Sequence, residues 1–235
     1  LNSSVNPPDI LYFGTASKYM YRIDNASVGD PPKTILTGPP TGSNSFTADI
    51  AINPQDADEI ICVYSNYSVY SLFHSLDGGQ SWETISGDLT RNLPETIKSS
   101  GGPITQDNTG AEFYANIFAL AESELEENVI WTGSDDGLIH VTIDGGETWE
   151  NVTPPSSMSP KLNMINSIDP SPFVKGKVYV AATSYKFGDY TPYLYKTEDY
   201  GKTWELITDG IPNNYYTRAL RSDKKRPGLL YAGTE

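Results

Sequence analysis

Hydroxyl and carboxylate side chains stand close together in the stretch SLDGGQSW, residues 75–82, a combination that could serve nucleophilic or acid–base chemistry. The same order of residues returns in TIDGGETW (142–149) and in TEDYGKTW (197–204), so the pattern S/T-x-D-x-G-x-S/T-W occurs three times. An active site is normally assembled once from different parts of a chain, whereas a turn that recurs at wide intervals marks a repeated structural unit. The pattern therefore predicts three structural turns and not three catalytic sites.

Each position of the repeated turn has a mechanical role. The Asp can accept hydrogen bonds from N–H groups of its own turn, the Gly can adopt a positive φ, and the Trp can bury its ring between neighbouring units. The positions assigned to these structural turns are Ser75, Asp77, Gly79, Trp82, Thr142, Asp144, Gly146, Trp149, Thr197, Asp199, Gly201 and Trp204. With these residues in place, the turns resemble the Asp boxes of the bacterial neuraminidase repeat family of β-propellers. That resemblance implies that any active face lies at the opposite end of the sheets.

The segments around the turns predict an all-β protein. In the third unit, EFYANIFALAES, NVIWTGS, GLIHVTID and TWENVT are four short β runs, and the second and fourth units divide in the same way. Such a four-stranded antiparallel meander has two faces to cover, which favours radial stacking into a β-propeller. We expect one incomplete propeller domain over residues 1–235, a fragment with three full blades and parts of two others. The expected blades are about 9–40 (partial, without its first strand), 45–90, 110–155, 161–212 and 214–235 (partial).

Composition excludes several classes of partner. Thirty acidic side chains against sixteen basic ones give a net charge of −14, which repels nucleic acids and anionic membranes. No apolar run is long enough to span a bilayer. The sequence also lacks a Gly-rich phosphate loop and a Cys or His cluster, and strand alternation places His74 and His140 on opposite faces, so no cofactor or metal is expected. The start of the sequence does not read as a signal peptide, yet a secreted, periplasmic or cell-surface location is expected from the resemblance.

Two adjacent carboxylates in GSDDGL, Asp135 and Asp136, lie in the predicted loop between the second and third strands of the third unit. Glycoside hydrolysis needs two carboxyl groups across a cleft, and neighbours on one turn do not form that pair. The turn nevertheless resembles the T-D-x-G-G context of the catalytic Asp in xyloglucan-active hydrolases with paired propellers, which implies Asp135 as a catalytic candidate with its partner on a second propeller. The other candidates for contact with a ligand on this face are Asn66, Tyr67, Asp136, Tyr185, Phe187, Asp189 and Tyr190.

Three functions follow from these patterns. Residues 45–235 resemble large bacterial proteins labelled sortilin-like or glycosyl-hydrolase-like, which favours a non-catalytic binding module that recognises a peptide, a protein or a glycan. The alternatives are a xyloglucanase-like glycoside hydrolase, with its cleft between two propellers, and a scaffold for assembly. A sialidase is not expected, because the early R-I-P motif is missing and three of the five Arg residues are packed into nine positions, RALRSDKKR (218–226). The remaining blades or a second propeller of the parent chain are expected partners, and an unclosed propeller is expected to self-associate.

Overall fold

Almost all the regular structure in the described part of the chain is β-strand. The computed structural model describes residues 2–3, 9–15, 19–39, 46–53, 55–65, 70–98, 102, 104–105 and 114–235. Within these residues, the helical structure is a single 3-10 turn, Tyr185–Phe187. No helix in the described part of the chain has the length and apolar character needed to cross a membrane.

The strands form antiparallel sheets in which each strand pairs with the next one along the chain. The first sheet contains β1 (Asn2–Ser3), β2 (Leu11–Gly14), β3 (Tyr19–Ile23) and β4 (Lys33–Thr37). The second contains β5 (Phe46–Ile52), β6 (Ile60–Ser65), β7 (Leu72–Ser75) and β8 (Glu83–Thr84). The third contains β9 (Ile117–Glu122), β10 (Ile130–Ser134), β11 (Ile139–Thr142) and β12 (Glu150–Asn151). The fourth contains β13 (Met164–Pro170), β14 (Val178–Ser184), β15 (Asp189–Thr197) and β16 (Glu205–Leu206), and the fifth contains β17 (Thr217–Ser222) and β18 (Leu230–Thr234).

The first sheet differs from the sequence expectation in one respect. The opening repeat was expected to begin with its second strand, but the short strand β1 pairs antiparallel with β2, with Asn2 opposite Tyr12 and Ser3 opposite Leu11. The first sheet therefore has four strands, as do the three sheets that follow it. A strand of two residues is too short to show the alternation of apolar and polar residues by which longer strands are recognised.

The hydrophobic core lies between the sheets. In β6, Ile60 and Cys62 pack against residues of the first sheet, whereas Ile61 and Val63 pack toward the third. The alternation continues in β10, where Ile130 faces the second sheet and Trp131 faces the fourth. Successive side chains of a strand point to opposite faces, so the second, third and fourth sheets each contribute to two cores. A single sheet would leave both faces in water, which is why the repeats stabilise one another.

The three repeated turns, which we call the clasp turns (75–82, 142–149 and 197–204), join the third and fourth strands of their sheets. In the first, Ser75 Oγ accepts a hydrogen bond from Gly79 N at 2.8 Å and donates one to Asp77 Oδ1 at 2.8 Å. The carboxylate of Asp77 also accepts hydrogen bonds from Ser81 Oγ and from two backbone N–H groups. These bonds, led by those from Ser81, lower the pKa of Asp77 to about 2, so the carboxylate stays ionised and bonded at ordinary pH.

Each clasp turn also connects its sheet to the preceding one. The Nε1–H group of Trp82 donates to Thr37 O at 3.0 Å, that of Trp149 to Ile85 O at 2.8 Å, and that of Trp204 to Val152 O at 2.7 Å. Each acceptor carbonyl lies at or just after the fourth strand of the sheet before. The clasp turns therefore connect neighbouring sheets, at the end opposite the loops between second and third strands.

Candidate ligand face

The loops at the end of the sheets opposite the clasp turns form the candidate ligand face, which we call the loop face. It is made by the loops between second and third strands and by the connections from one sheet to the next. Its described segments are 85–98, 114–116, 134–138, 155–163, 184–190 and 211–216. The predicted ligand contacts Asn66 and Tyr67 lie outside the described residues, so they stay predictions.

Asp135 lies on the loop face, in the turn after β10, and is almost fully buried, at 6% exposed. Its Oδ1 accepts a hydrogen bond from Asn116 N at 2.9 Å, and its Oδ2 accepts one from Asn116 Nδ2 at 3.1 Å. Burial raises the pKa of Asp135, an effect that exceeds the opposing effect of the bonds from Asn116. A buried carboxyl group that keeps its proton more readily than usual has the property that a general acid needs. In this arrangement, however, both of its oxygens are directed to Asn116.

Asp136 has a structural role, which corrects the expectation that it contacts a ligand. The residue is fully buried, its Oδ1 accepts a hydrogen bond from Ser134 Oγ at 2.6 Å, and its Oδ2 accepts one from Arg91 N at 2.7 Å. Leu138 N donates to Ser134 Oγ at 2.8 Å. This repeats the first half of a clasp turn, with a hydroxyl, an Asp two positions later and an N–H group four positions later. The turn 134–138 is thus a related structure at the other end of the sheet.

Arg91 connects three segments of the loop face and was not singled out from the sequence. Its Nε–H group lies 2.9 Å from Asp136 O and 3.1 Å from Lys161 O. The backbone N–H group of Arg91 also donates to the Asp136 carboxylate. Arg91, which lies in the connection after the second sheet, is therefore bonded both to the turn that contains Asp135 and to the connection after the third sheet. These partners are far apart in sequence, so no local pattern could have revealed the link.

Five aromatic side chains continue the loop face away from Asp135, and we call them the aromatic strip: Tyr114, Tyr185, Phe187, Tyr190 and Tyr216. The rings of Tyr114 and Phe187 are stacked with centroids 6.3 Å apart, and those of Tyr185 and Tyr216 at 5.3 Å. Tyr190 leans on Tyr216 at 5.8 Å. Phe187 and Tyr190 are more than half exposed, at 57% and 51%, so the strip offers ring surface to solvent.

The strip begins next to the Asp135 turn. Tyr114 is two residues before Asn116, the partner of Asp135, and it is buried beneath Phe187. The sequence identified Tyr185, Phe187 and Tyr190 because they stand together in one loop. It missed Tyr114 and Tyr216, which come from the connections that lead into β9 and β17.

Charged groups flank the aromatic strip on both sides. The ammonium group of Lys186 lies 5.2 Å from the centre of the Tyr114 ring, and the guanidinium group of Arg218 lies 4.4 Å from that of Tyr185. Glu235 accepts hydrogen bonds from Arg218 and from the Tyr216 hydroxyl. The cations therefore hold the rings in place through cation–π contacts.

Asp189, the remaining predicted ligand contact, binds within its own loop. Its Oδ2 accepts a hydrogen bond from the Tyr193 hydroxyl at 2.7 Å, and its Oδ1 accepts one from Thr191 N at 3.0 Å. Burial acts to raise the pKa of Asp189, but these bonds outweigh it and the pKa is lowered. Asp189 is thus a carboxylate that orders the loop carrying Phe187 and Tyr190.

The two histidines lie on opposite faces of their sheets, as strand alternation predicts. His74 faces the third sheet and its Nε2 is 3.0 Å from Glu59 Oε1, whereas His140 faces the second sheet. Within the part of the chain that the structure describes, no group of three or more His, Cys, Asp or Glu side chains is arranged to hold a metal ion.

Comparison with known proteins finds propellers of carbohydrate-active enzymes. No family model matches the chain. A probable oligoxyloglucan-reducing end-specific xyloglucanase from Neosartorya fischeri is 21% identical over 243 residues, covering all of this chain and 28% of the relative. Among solved structures, a GH74 enzyme from Niastella koreensis matches with a TM-score of 0.62 and 14% identity, covering 95% of this chain and 33% of the enzyme. The GH74 xyloglucanase from Xanthomonas campestris matches with a TM-score of 0.60 and 13% identity over 96% of this chain and 33% of the enzyme.

The fold is a β-propeller. At these low identities, the structural likeness shows the fold alone, and a match to the mitotic checkpoint complex, with a TM-score of 0.58 and 15% identity over 99% of this chain and 57% of that one, shows how widely the fold is used. The chain spans about a third of the length of the solved enzymes. The sheets described above are blades of this propeller.

Proposed function

We propose that the chain is part of a glycoside-hydrolase-related propeller that holds a polysaccharide along the aromatic strip. The observation that carries this proposal is the strip itself, two groups of contacting rings in which Phe187 and Tyr190 are more than half exposed. Its buried member Tyr114 is two residues from Asn116, the hydrogen-bond partner of Asp135. The C–H faces of sugar rings stack on aromatic rings, which supply a large apolar surface at fixed geometry. The likeness to GH74 enzymes and to the xyloglucanase relative supports a β-glucan as the ligand. Such a substrate also favours a secreted or periplasmic location.

The catalytic part of the proposal assigns Asp135 as the general acid or base of hydrolysis. A hydrolase of this type needs a second carboxyl group about 5–10 Å away across the cleft. The neighbouring Asp136 cannot serve because it lies on the same turn as Asp135, not across a cleft from it, and is fully buried. The second group would therefore come from another propeller of the parent protein. We assign the clasp turns to the Asp-box class on their sequence pattern, and they take no part in this chemistry.

A non-catalytic binding module, sortilin-like in the sense of the sequence resemblance, is the second candidate. The observation that favours it is that both oxygens of Asp135 accept hydrogen bonds from Asn116, so the carboxyl group is engaged before any ligand arrives. The two candidates share the aromatic strip and differ only in whether Asp135 reacts.

Binding is tested first by affinity electrophoresis of this chain in gels that contain xyloglucan. Phe187→Ala and Tyr190→Ala remove exposed rings of the strip and should each weaken retardation about tenfold or more, in line with losses measured for buried aromatic contacts. Phe173→Ala removes an exposed ring at the clasp end and should change nothing. Equal retardation of all variants, or no retardation of the wild type on any polysaccharide tried, would exclude the strip as a glycan site.

Catalysis is tested on the full-length parent protein with xyloglucan oligosaccharides. If Asp135 is the acid or base, Asp135→Asn should lower kcat by about 10²–10⁴-fold while gel retardation is kept. Hydrolysis that persists in the variant would exclude Asp135 as a catalytic residue. Retardation by a wild-type protein that hydrolyses nothing would instead favour the binding module. Thermal unfolding of the variant verifies that loss of the Asn116 contacts has not unfolded the turn.

A further inference from the structure

One cross-strand pair occupies the same place in three sheets. It joins the second and third strands, and its third-strand member lies two positions before the first residue of the clasp turn. The pair is Cys62 and Phe73 in the second sheet, Thr132 and His140 in the third, and Val180 and Tyr195 in the fourth. In the second and fourth sheets, these side chains belong to the hydrophobic core shared with the preceding sheet. The third sheet alone of these three has polar side chains at this place.

The side chains of Thr132 and His140 point between the second and third sheets. On β10, Thr132 alternates with Trp131, which faces the fourth sheet, and therefore shares the side of Ile130, which packs against the second. On β11, Ile139 faces the fourth sheet, so its neighbour His140 also faces the second. Directly opposite side chains on neighbouring strands have Cβ atoms about 5 Å apart, so both polar groups reach the same small volume.

These polar groups are buried without partners. Thr132 Oγ1 and His140 Nδ1 are screened from solvent, and neither forms a hydrogen bond within the described part of the chain. Ser86 Oγ is likewise buried without a partner in the described part of the chain. Thr132 is 1% exposed, Ser86 8% and His140 9%. Burial lowers the pKa of His140 to about 4, so its ring is neutral at ordinary pH and Nδ1 can donate or accept one hydrogen bond.

We propose that an internal water molecule binds between the second and third sheets and bridges Thr132 Oγ1 and His140 Nδ1. Internal waters in proteins typically form about three hydrogen bonds to buried polar groups that would otherwise be unpaired. The equivalent places in the neighbouring interfaces are filled by apolar side chains and need no such water. Thr132, His140 and the water together fill the space that the apolar side chains of Cys62 and Phe73 fill between the first and second sheets.

A double-mutant cycle measured by urea unfolding of this chain tests the proposal. Thr132→Val should raise the unfolding equilibrium constant about tenfold, because the water loses a partner and His140 remains buried with an incomplete shell. His140→Phe should have a similar effect. The double variant, which makes the pair apolar as in the second sheet, should unfold with a constant close to that of the wild type, so the two changes are strongly non-additive.

Thr183→Val is the matched control. Thr183 Oγ1 is also buried and unpartnered, but the residue opposite it is Met164, which offers no polar group for a bridging water. This variant should leave the unfolding constant unchanged or lower it. If Thr132→Val also lowers the unfolding constant and its effect adds to that of His140→Phe, the two groups share no water and the proposal fails.

A second measurement keeps the test independent of variant folding. In the wild-type chain, a long-lived internal water gives nuclear Overhauser effects of opposite sign to those of surface water, and these should appear on the Thr132 and His140 amide protons. Their absence would overturn the proposal even if the variants cannot be purified.

Discussion

Glu122 should make the stability of this propeller depend on pH in the direction opposite to most carboxylates. The residue ends β9, on the side that faces the second sheet, and its carboxyl group makes no hydrogen bond within the described part of the chain. Burial raises the pKa of Glu122 from 4.5 to about 7, and the nearby carboxylates of Glu59 and Glu127 add to the shift. The folded protein therefore binds a proton at Glu122 that the unfolded chain has released.

The magnitude follows from the two pKa values. Each pKa unit corresponds to 1.36 kcal/mol, so the shift amounts to about 3 kcal/mol, and partial exposure of the carboxyl group reduces this to about 2 kcal/mol. The full benefit is present below pH 4.5, where both states hold the proton. It is lost as the pH rises through 7, because the folded state must then ionise a carboxyl group that lies in a poorly solvated place.

Glu122→Gln removes this titration while keeping the size of the side chain. Urea unfolding at pH 8 should show the variant about 2 kcal/mol more stable than the wild type, and the difference should disappear near pH 4.5. Glu95→Gln, a change at an exposed glutamate of the loop face, should have no effect at either pH. An equal change in stability at both pH values, or no gain at pH 8, would show that Glu122 is solvated and that the reasoning is wrong.

Three further predictions concern the clasp turns and the open face of the first sheet. Gly201→Ala should cost about 3 kcal/mol or more in urea unfolding, because φ is +84° there and a Cβ would lie 2.5 Å from that of Val152; wild-type stability would contradict this. Trp149→Phe should lower the free energy of unfolding by about 1–2 kcal/mol, since the carbonyl of Ile85 loses its hydrogen-bond donor. An unchanged melting curve would show that this hydrogen bond does not stabilise the protein. Ile35 is 62% exposed, so Ile35→Lys should reduce self-association in sedimentation velocity; a monomeric wild type would contradict this.

The propeller fold could be predicted from the sequence because its signal is local and repeated. A clasp turn of eight residues carries a hydroxyl, a carboxylate, a glycine and a tryptophan in fixed order, and three copies locate the third and fourth strands of three sheets. The strand β1 was not predicted, because two residues are too few to show an alternation of apolar and polar side chains. The pairing of Asn2 and Ser3 with β2 nevertheless gives the first sheet its fourth strand.

The candidate site could be predicted only in part because much of it depends on contacts between distant segments. Tyr185, Phe187 and Tyr190 were recognisable as aromatic residues of one loop. Tyr114 and Tyr216 join them only because neighbouring blades bring their connections together. Asp136 was misassigned since its sequence does not show that Arg91, 45 positions earlier, meets its carboxylate.

The direction of the clasp contacts has a consequence for how the protein is made. Every clasp tryptophan bonds to a carbonyl of the blade that precedes it in the chain, and none in the described clasps reaches forward. A blade leaving the ribosome therefore finds its binding partner already synthesised, and it can dock without waiting for later residues. Since chains emerge at about 5–20 residues per second, each blade has several seconds to attach before the next is complete. The repeat thus favours vectorial folding, blade by blade from the amino terminus, because each blade can attach to the preceding one before a later, wrong neighbour has been synthesised.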